Sequence, residues 1–597
     1  MNIDFFKSEL EQALFQIQRI RHKRTYNSLY RLLSALLFFA IVYAYTNPYN
    51  PLVFCAAPFA ILFVYLVKRE SSLDRRDNYW QTRKRICDKE LKIARFDITS
   101  FIGGKRHEEE EHPFSNDLDI FGHNSLFQFI NRTVTPGGEK VLAHQLKHPF
   151  TNKKDILLRQ EAIREMSSKP LWLLNFATLG SLESYKPSDM DELKRFLEES
   201  IPYSRNKFLA VLVMFTPFIQ LAIFLAAFYG LIPYSVLAIS LVSAATFAIL
   251  NNKKISAIQL TLDRKSKLMA RYASLFKVME DANIKSEELV AMKKHLYTDS
   301  TSASVVIGNL SKLLSKLEYR DNVIAGVILN ATFLWDFRQL IAINRWRTEY
   351  KKNIPAWVNI LYETDALVSF SLFSYTNNNR STFPQISESG IIIKAENLRH
   401  PLMTKERCVA NPIDIEKISS FVVITGANMA GKSTYLRTVG VNLLFANIGL
   451  PVFADSFEFT PMPIFTSLRT TDSLSQNESY FFAELKRLKV IIDRLNRGER
   501  LFIILDEILK GTNSVDKQHG SISLVKQLLS HSCAGIIATH DLALGDLEKI
   551  YPDSISNFCF EADIQGDKLN FSYKLQKGVA FNMNACFLMK QMGIIIE

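Results

Sequence analysis

The stretch S-F-V-V-I-T-G-A-N-M-A-G-K-S-T-Y-L-R-T-V, Ser420 to Val439, decides how this chain is read. Phe421 to Thr425 form a near-continuous apolar, β-favouring run, the pattern of a strand buried on both faces. Gly426 opens a loop of the form G-x-x-x-x-G-K-[ST] that closes at Gly431, Lys432 and Ser433, and a helical pattern follows from Thr434. A strand, a glycine loop and a helix in that order build a phosphate cradle. Glycines let backbone N–H groups converge on phosphate oxygens, the helix N-terminus adds the positive end of its dipole, and Lys432 supplies a full charge. The residues expected to touch a nucleotide are therefore Gly426, Ala427, Asn428, Met429, Ala430, Gly431, Lys432, Ser433 and Thr434, with the Ser433 hydroxyl placed to ligate Mg2+.

Leu501 to Leu505 (L-F-I-I-L) is a second buried-strand pattern, and it ends in Asp506 and Glu507. This is the partner a phosphate loop requires. Asp506 would hold Mg2+, through water or through Ser433, and Glu507 would position the attacking water. A third apolar strand, Ala534 to Thr539, ends in His540, whose side chain can contact the γ-phosphate region. Three strand ends converging on one crevice is how open parallel sheets build a site. From about Ile391 strand and helix patterns alternate, so residues 391–597 read as a nucleotide-binding α/β domain, an ATPase using Mg2+.

The chain has 597 residues, a net charge of +12 and a pI near 9.1, a balance that suits nucleic acid or an anionic membrane surface. Its 48% hydrophobic content is concentrated locally, in two runs without any charge. Leu32 to Val67 is interrupted by Pro48 and Pro51 and leaves arms of about 16 to 18 residues, short for a bilayer span. Phe208 to Asn252, punctuated by Gly230 and Pro233, is long enough for two spans of about 20 residues. Arg19, Arg21, Lys23, Arg24 and Arg31 precede the first run, and Lys68, Arg69, Arg75 and Arg76 follow it. Lys207, Lys253 and Lys254 flank the second. Basic flanks face the cytoplasm. The expectation is a multi-pass protein of an inner or plasma membrane, four spans in two hairpins, with both termini and the ATPase domain cytoplasmic. No cleavable signal peptide is expected. Because membrane topology already accounts for these basic clusters, the net charge is not evidence of a DNA footprint.

The chain then divides into an amphipathic basic helix (1–31), a first hairpin (32–67) and a charged linker (68–116). The first part of a helical core (117–206), a second hairpin (207–252), the rest of the core or lever (253–390) and the ATPase domain (391–597) complete it. Lys105 to His112 (K-R-H-E-E-E-E-H) reads as solvated linker, although His107 and His112 beside four glutamates carry metal-ligating chemistry. Leu310, Leu313, Leu314 and Leu317 have the spacing of one buried helix face. Six cysteines without C-x-x-C or metal spacing read as reduced and structural.

Several of these segments resemble the ATPases of the MutS DNA mismatch-repair family. They are, in family order, Arg399-His400-Pro401, V-A-N-P (Val409 to Pro412), T-G-A-N-M-A-G-K-S-T-Y-L-R (Thr425 to Arg437), T-T-D-S-L (Thr470 to Leu474), N-E-S-Y-F-F-A-E (Asn477 to Glu484), D-E-I-L-K-G-T-N-S-V-D (Asp506 to Asp516) and A-T-H-D (Ala538 to Asp541). Asp117 to Met166 resembles the start of that family's helical core, so the resemblance covers roughly residues 117 to 200 and 255 to 597. It implies an α/β, ABC-like P-loop ATPase domain at the C-terminus, preceded by an α-helical lever and here joined to two transmembrane hairpins. It further implies a homodimer with composite ATP sites, in which Ser479 reaches the γ-phosphate of the opposing subunit and Ser514 to Asp516 lie at the interface. Asn411 of V-A-N-P joins the nucleotide contacts on the same ground.

Three departures stand out. Cys408 occupies the position, just before V-A-N-P, where the family places an aromatic residue to stack on adenine. The family's G-R-G-T-S after the acidic pair is L-K-G-T-N here, Leu509 to Asn513. Residues 1 to 116 and the second hairpin stand where mismatch-reading and clamp modules would be expected. The leading reading is a membrane-anchored MutS-type ATPase with DNA as a candidate partner. Remodelling of a membrane or protein partner without DNA is the alternative, and an ABC-type transporter component is a third reading. The last is disfavoured by S-L-S-Q-N-E-S-Y in place of L-S-G-G-Q and by spans without charge.

Overall fold

A computed structural model describes residues 2–44, 55–182, 189–198, 207–251, 255–256, 265–298, 301–388, 390–427, 429–469, 480–510, 512–565 and 568–580. The chain forms two compact units, one of residues 1–132, 140–173 and 366–597, the other of residues 133–139 and 174–365.

Among the described residues the first unit carries ten strands: β1 (Gln385–Ile386), β2 (Ile393–Leu398), β3 (Asn411–Ile415), β4 (Phe421–Gly426), β5 (Ser456–Phe459), β6 (Ile464–Ser467), β7 (Leu501–Asp506), β8 (Cys533–Ala538), β9 (Ile555–Gln565) and β10 (Lys568–Lys577). The larger sheet has the order β10-β9-β4-β8-β7-β6 and is parallel except for the antiparallel edge pair β9–β10. All residues of β4 and β8 are buried, as a central parallel strand covered on both faces demands. The expected strands at 421–425, 501–505 and 534–539 are therefore present, as β4, β7 and β8, and lie side by side. Helices Lys432–Ile448, Tyr480–Asn496 and Ser514–Leu529 connect them. The small sheet β1-β5-β2-β3 completes this region.

The same unit holds two long helices, Asp4–Ala44 and Ala57–Ile93, packed together. The basic helix and the first apolar arm expected as separate pieces are thus one continuous helix, and the second arm runs without a break into the expected linker. The T-N-P-Y-N-P turn lies outside the described residues. Polar pairs hold the lower part of the helix pair: Arg83 donates to Glu9 at 2.6 and 2.9 Å with both buried, and Asn27 Nδ2 donates to Leu66 O and Glu70. Its upper part presents Leu33, Leu36, Phe39, Ile61 and Tyr65 to the surroundings.

The linker reading of Lys105 to His112 needs correction at its end. His112 is buried. Its Nδ1 accepts from the Phe114 and Ser115 amides, and Nε2 donates to Lys147 O at 3.2 Å. That geometry uses a neutral ring, and burial pushes its pKa down to about 4. Among the described residues no group of three or more His, Cys, Asp or Glu side chains is placed to hold a metal.

The second unit is helical. Asp365 is fully buried and receives the Val134 and Thr135 amides and the Thr135 hydroxyl, while Thr135 Oγ1 accepts from Gly138 N. Thr135 thereby caps helix Pro136–Lys147 through Gly138 N, one of its free first-turn N–H groups, while Asp365 holds the two residues that lead into it. Of the four leucines whose spacing implied one buried face, Leu310, Leu314 and Leu317 are buried along helix Ala303–Leu317 and Leu313 is half-buried at its edge. Helices Lys207–Phe228 and Tyr234–Leu250 form an apolar pair joined by Gln220 and Ser240, whose Oγ donates to Gln220 Oε1 at 3.0 Å.

Two described helices, Asp4–Ala44 and the Phe208–Phe228 part of the second pair, are long and apolar enough to cross a membrane. Four such spans were expected. Tyr234–Leu250 is apolar but only 17 residues long, and the second arm of the first pair does not qualify.

Candidate nucleotide site

β4 ends at Gly426, whose φ of +145° and close neighbour exclude a side chain: a Cβ there would meet Phe560 O at 2.5 Å. The loop turns through Met429 and Gly431, both with positive φ, and delivers Lys432 as the first residue of the following helix. Lys432 is buried, and its Nζ donates to Gly426 O at 2.7 Å and Ala427 O at 2.9 Å. Burial pushes its pKa down, with Asp506 and Glu507 opposing. Ala430 is buried beneath the loop and Met429 is exposed. Thr434 faces the adjoining cavity, and Asn428 lies outside the described residues.

The ends of β7 and β8 bring the rest together. Ser433 Oγ donates to Asp506 Oδ2 at 2.5 Å. A serine hydroxyl and a carboxylate in contact are two hard oxygen donors, the set Mg2+ takes when water and phosphate oxygens fill its remaining positions. The site fits the cation expected there; bound, it would neutralise developing phosphate charge.

Glu507 has a φ of +54° and its amide donates to Ala538 O at 2.8 Å, tying the end of β7 to β8. His540 Nε2 lies 2.8 Å from Glu507 Oε1 and 3.3 Å from Lys432 Nζ. The proton on Nε2 goes to the carboxylate, so Lys432 approaches a nitrogen with no free lone pair. The His540 hydrogen bond is the main reason the Glu507 pKa falls to about 2, ahead of opposing burial and the nearby Lys510 and Lys517 charges. Glu507 is therefore an anion, aimed and held.

Sequence reasoning assigned no role to three further residues. Glu484, buried, accepts from Leu509 N at 2.6 Å and Lys510 N at 3.1 Å and so fixes the turn that follows the acidic pair. Asp117, also buried, accepts from Thr466 Oγ1, Leu468 N, Arg469 N and Arg487 Nη2, while its own carbonyl accepts from Arg437 of the helix after the phosphate loop. Both lie in quoted segments, but nothing in one dimension says which amides they meet. The third is Tyr573.

Asn411, expected to touch nucleotide, spends its amide on β10: Nδ2 donates to Tyr573 O at 3.0 Å and Oδ1 accepts from Leu575 N at 2.8 Å. These bonds brace an irregularity between Phe571 and Leu575 in which Tyr573 adopts a φ of +52°. The Tyr573 ring consequently lies over the loop, 3.1 Å from where a Cβ on Gly431 would be. It lines a cavity of ≈ 240 Å³ with Cys408, Asn411, Gly431, Thr434 and Tyr435. An aromatic surface is thus present where Cys408 alone offers none. Ser479 and the T-T-D-S-L segment lie outside the described residues; Ser514 and Asp516 open helix Ser514–Leu529, capped by Asn513.

The fold and this site agree with family comparison. A model of MutS domain III matches residues 110–371, and a model of MutS domain V matches residues 422–590. The chain is a MutS-family protein.

Within that family it is 26% identical over 509 residues to DNA mismatch repair protein MutS of Thermotoga maritima, covering 76% of this chain and 60% of the relative. It is 33% identical over 220 residues to DNA mismatch repair protein MutS of Thermotoga petrophila, covering 35% of this chain and 25% of the relative. MutS protein homolog 4 of Homo sapiens is 32% identical over 196 residues, covering 31% of this chain and 20% of the relative. This MutS-family chain thus aligns with between 20% and 60% of the length of these relatives.

Proposed function

We propose that this MutS-family chain is a membrane-held, Mg2+-dependent ATPase whose cycle drives a homodimer acting on DNA. The observation that carries the ATPase reading is the convergence of Lys432, Ser433, Asp506, Glu507 and His540 at the ends of β4, β7 and β8. Lys432 and the loop amides bind and orient phosphates, Ser433 and Asp506 hold the cation, and Glu507, oriented by His540, positions and polarises the attacking water. Ser479 completes the site from the opposing subunit, as the family resemblance implies. The DNA reading draws on relatives named as DNA mismatch repair proteins.

Membrane attachment is supported by exposed, charge-free helix surfaces. Phe208, Phe218 and Ile239 are 76%, 66% and 68% exposed, opposite to what helices buried in a soluble core would show. A second reading rests on these surfaces: the ATPase cycle acts on a membrane or protein partner and not on DNA.

One experiment separates the two. Detergent-purified Glu507→Gln protein, which should hold ATP without turnover, is tested against homoduplex, mismatched and branched DNA, with and without ATP, at two salt concentrations. ATP-modulated, structure-selective binding with a steep salt dependence supports the DNA reading. Absent or ATP-indifferent binding rejects it in favour of the second.

A further inference from the structure

The helix Val323–Phe333 (V-I-A-G-V-I-L-N-A-T-F) has no charged residue and is inside out for a helix in water. Its buried face is made of Gly326, Asn330 and Ala331. Its outward strip is Val323, Ile324, Val327 and Ile328, with exposures of 76%, 74%, 45% and 57%. The inward polar group is fully used: Asn330 Nδ2 donates to Gly326 O at 3.0 Å, and Oδ1 accepts from Asp336 N at 3.1 Å. Gly326 fits closely against Arg320, where a Cβ would meet a carbonyl oxygen at 2.9 Å. The packing therefore fixes the apolar strip outward, against the usual direction of burial.

Three observations say what covers the strip. The helix packs against both Lys207–Phe228 and Tyr234–Leu250, so its apolar face continues theirs. The turn before it and the helix after it contribute a stacked aromatic pair, Tyr319 and Trp335, with centroids 6.5 Å apart and planes at 16°. Tyr and Trp at the end of an apolar element are the residues that settle at headgroup level. Lys312, Lys316 and Arg338 are exposed on the two neighbouring helices, matching anionic headgroups in charge. With 11 residues the helix is about 16 Å long, far short of a span.

We propose that Val323–Phe333 is an interfacial membrane helix that lays Val323, Ile324, Val327 and Ile328 into the headgroup–acyl boundary of an anionic bilayer. This rests on the membrane reading of the Lys207–Leu250 pair and adds a third lipid contact, placed within the helical unit itself. Lipid then bears on the unit through a shallow element as well as through the hairpin.

The test uses the full chain reconstituted into phosphatidylcholine–phosphatidylglycerol vesicles with bromine on the acyl chains, which quenches tryptophan fluorescence on contact. Ile324→Trp and Val327→Trp are compared with Ile239→Trp in the hairpin and with Tyr297→Trp as a control away from both. Quenching beyond that of the parent chain at 324, 327 and 239, and none at 297, is the expected result. Excess quenching at 239 alone overturns the interfacial helix and leaves the hairpin reading standing. No excess at 239 or at 324 and 327 overturns both. If either new tryptophan disturbs folding, Trp335→Phe gives an independent readout without touching the helix. The expected result is loss of part of the parent chain's lipid quenching, and an unchanged quenched fraction overturns the proposal.

Discussion

His540 Nε2 sits 2.8 Å from Glu507 Oε1, so the group that should polarise water is held by the group that should sense phosphate. The pairing ties the tip of β8 to the tip of β7 and explains why the Glu507 pKa is down at about 2. Glu507→Gln should keep nucleotide binding and lower kcat by on the order of 100- to 10,000-fold, the usual worth of a positioned acid–base group. Single-turnover ATP hydrolysis beside equilibrium nucleotide binding checks both halves.

His540→Ala removes the largest cause of that depressed pKa. The Glu507 carboxyl should move back toward its ordinary value of 4.5, bringing an acid limb into the pH–rate profile of ATP hydrolysis at a higher pH than in the parent protein. An unchanged acid limb would show that the hydrogen bond does not set the ionisation of Glu507.

Tyr573 should carry base stacking in place of an aromatic residue at Cys408. Tyr573→Ala is expected to weaken ATP binding by about 1–3 kcal/mol, roughly 5- to 150-fold in Kd, whereas Tyr573→Phe stays near the parent. Asn411→Ala, which releases the brace on the Tyr573 backbone, should fall between them. Isothermal titration with ATP and a base-free triphosphate distinguishes stacking from phosphate contact, since only the former binding should change.

Glu484→Ala strands the buried Leu509 amide, a cost of about 1–3 kcal/mol for a group left buried and unpaired, and releases the part-buried Lys510 amide. The turn after Glu507 should loosen, lowering kcat with little change in ATP affinity. Glu484→Gln keeps an acceptor and should recover part of the loss. Equal losses in kcat and affinity would argue against a positioning role.

Acid should destabilise the protein through His112. Its folded-state pKa is about 4 against an ordinary 6.5, so between those values the unfolded chain binds a proton that the folded ring refuses. Stability associated with the neutral ring is complete above 6.5 and declines as pH falls toward 4. His112→Gln should be less stable at neutral pH and show a shallower loss on acidification, measured by denaturant unfolding across that window.

Much of the candidate nucleotide site was legible in the sequence, because its chemistry is local in the chain. Two glycines, a lysine and a serine in fixed order, with a buried strand before them and a helix after, make a phosphate loop, and two more apolar strands ended in Asp506-Glu507 and His540. Those patterns by themselves specify strands β4, β7 and β8 and the candidate residues at their ends. The two charge-free runs likewise declared themselves by composition.

Tertiary structure decided everything that depends on distant partners. Asn411 and Tyr573 are far apart in sequence, and only the pairing of β10 with β9 and its irregularity bring the ring over Gly431. Glu484 and Asp117 gained their roles from backbone amides that no side-chain pattern advertises. His112 sat among charges that read as solvated, yet its ring is enclosed by backbone groups on both nitrogens. Helix Val323–Phe333 is apolar in any reading, but which of its faces turns inward is fixed by Gly326 and Asn330 packing and hydrogen bonding. Sequence specifies the chemistry a residue can offer; the fold specifies what that chemistry meets, because burial and hydrogen bonding are properties of neighbours in space.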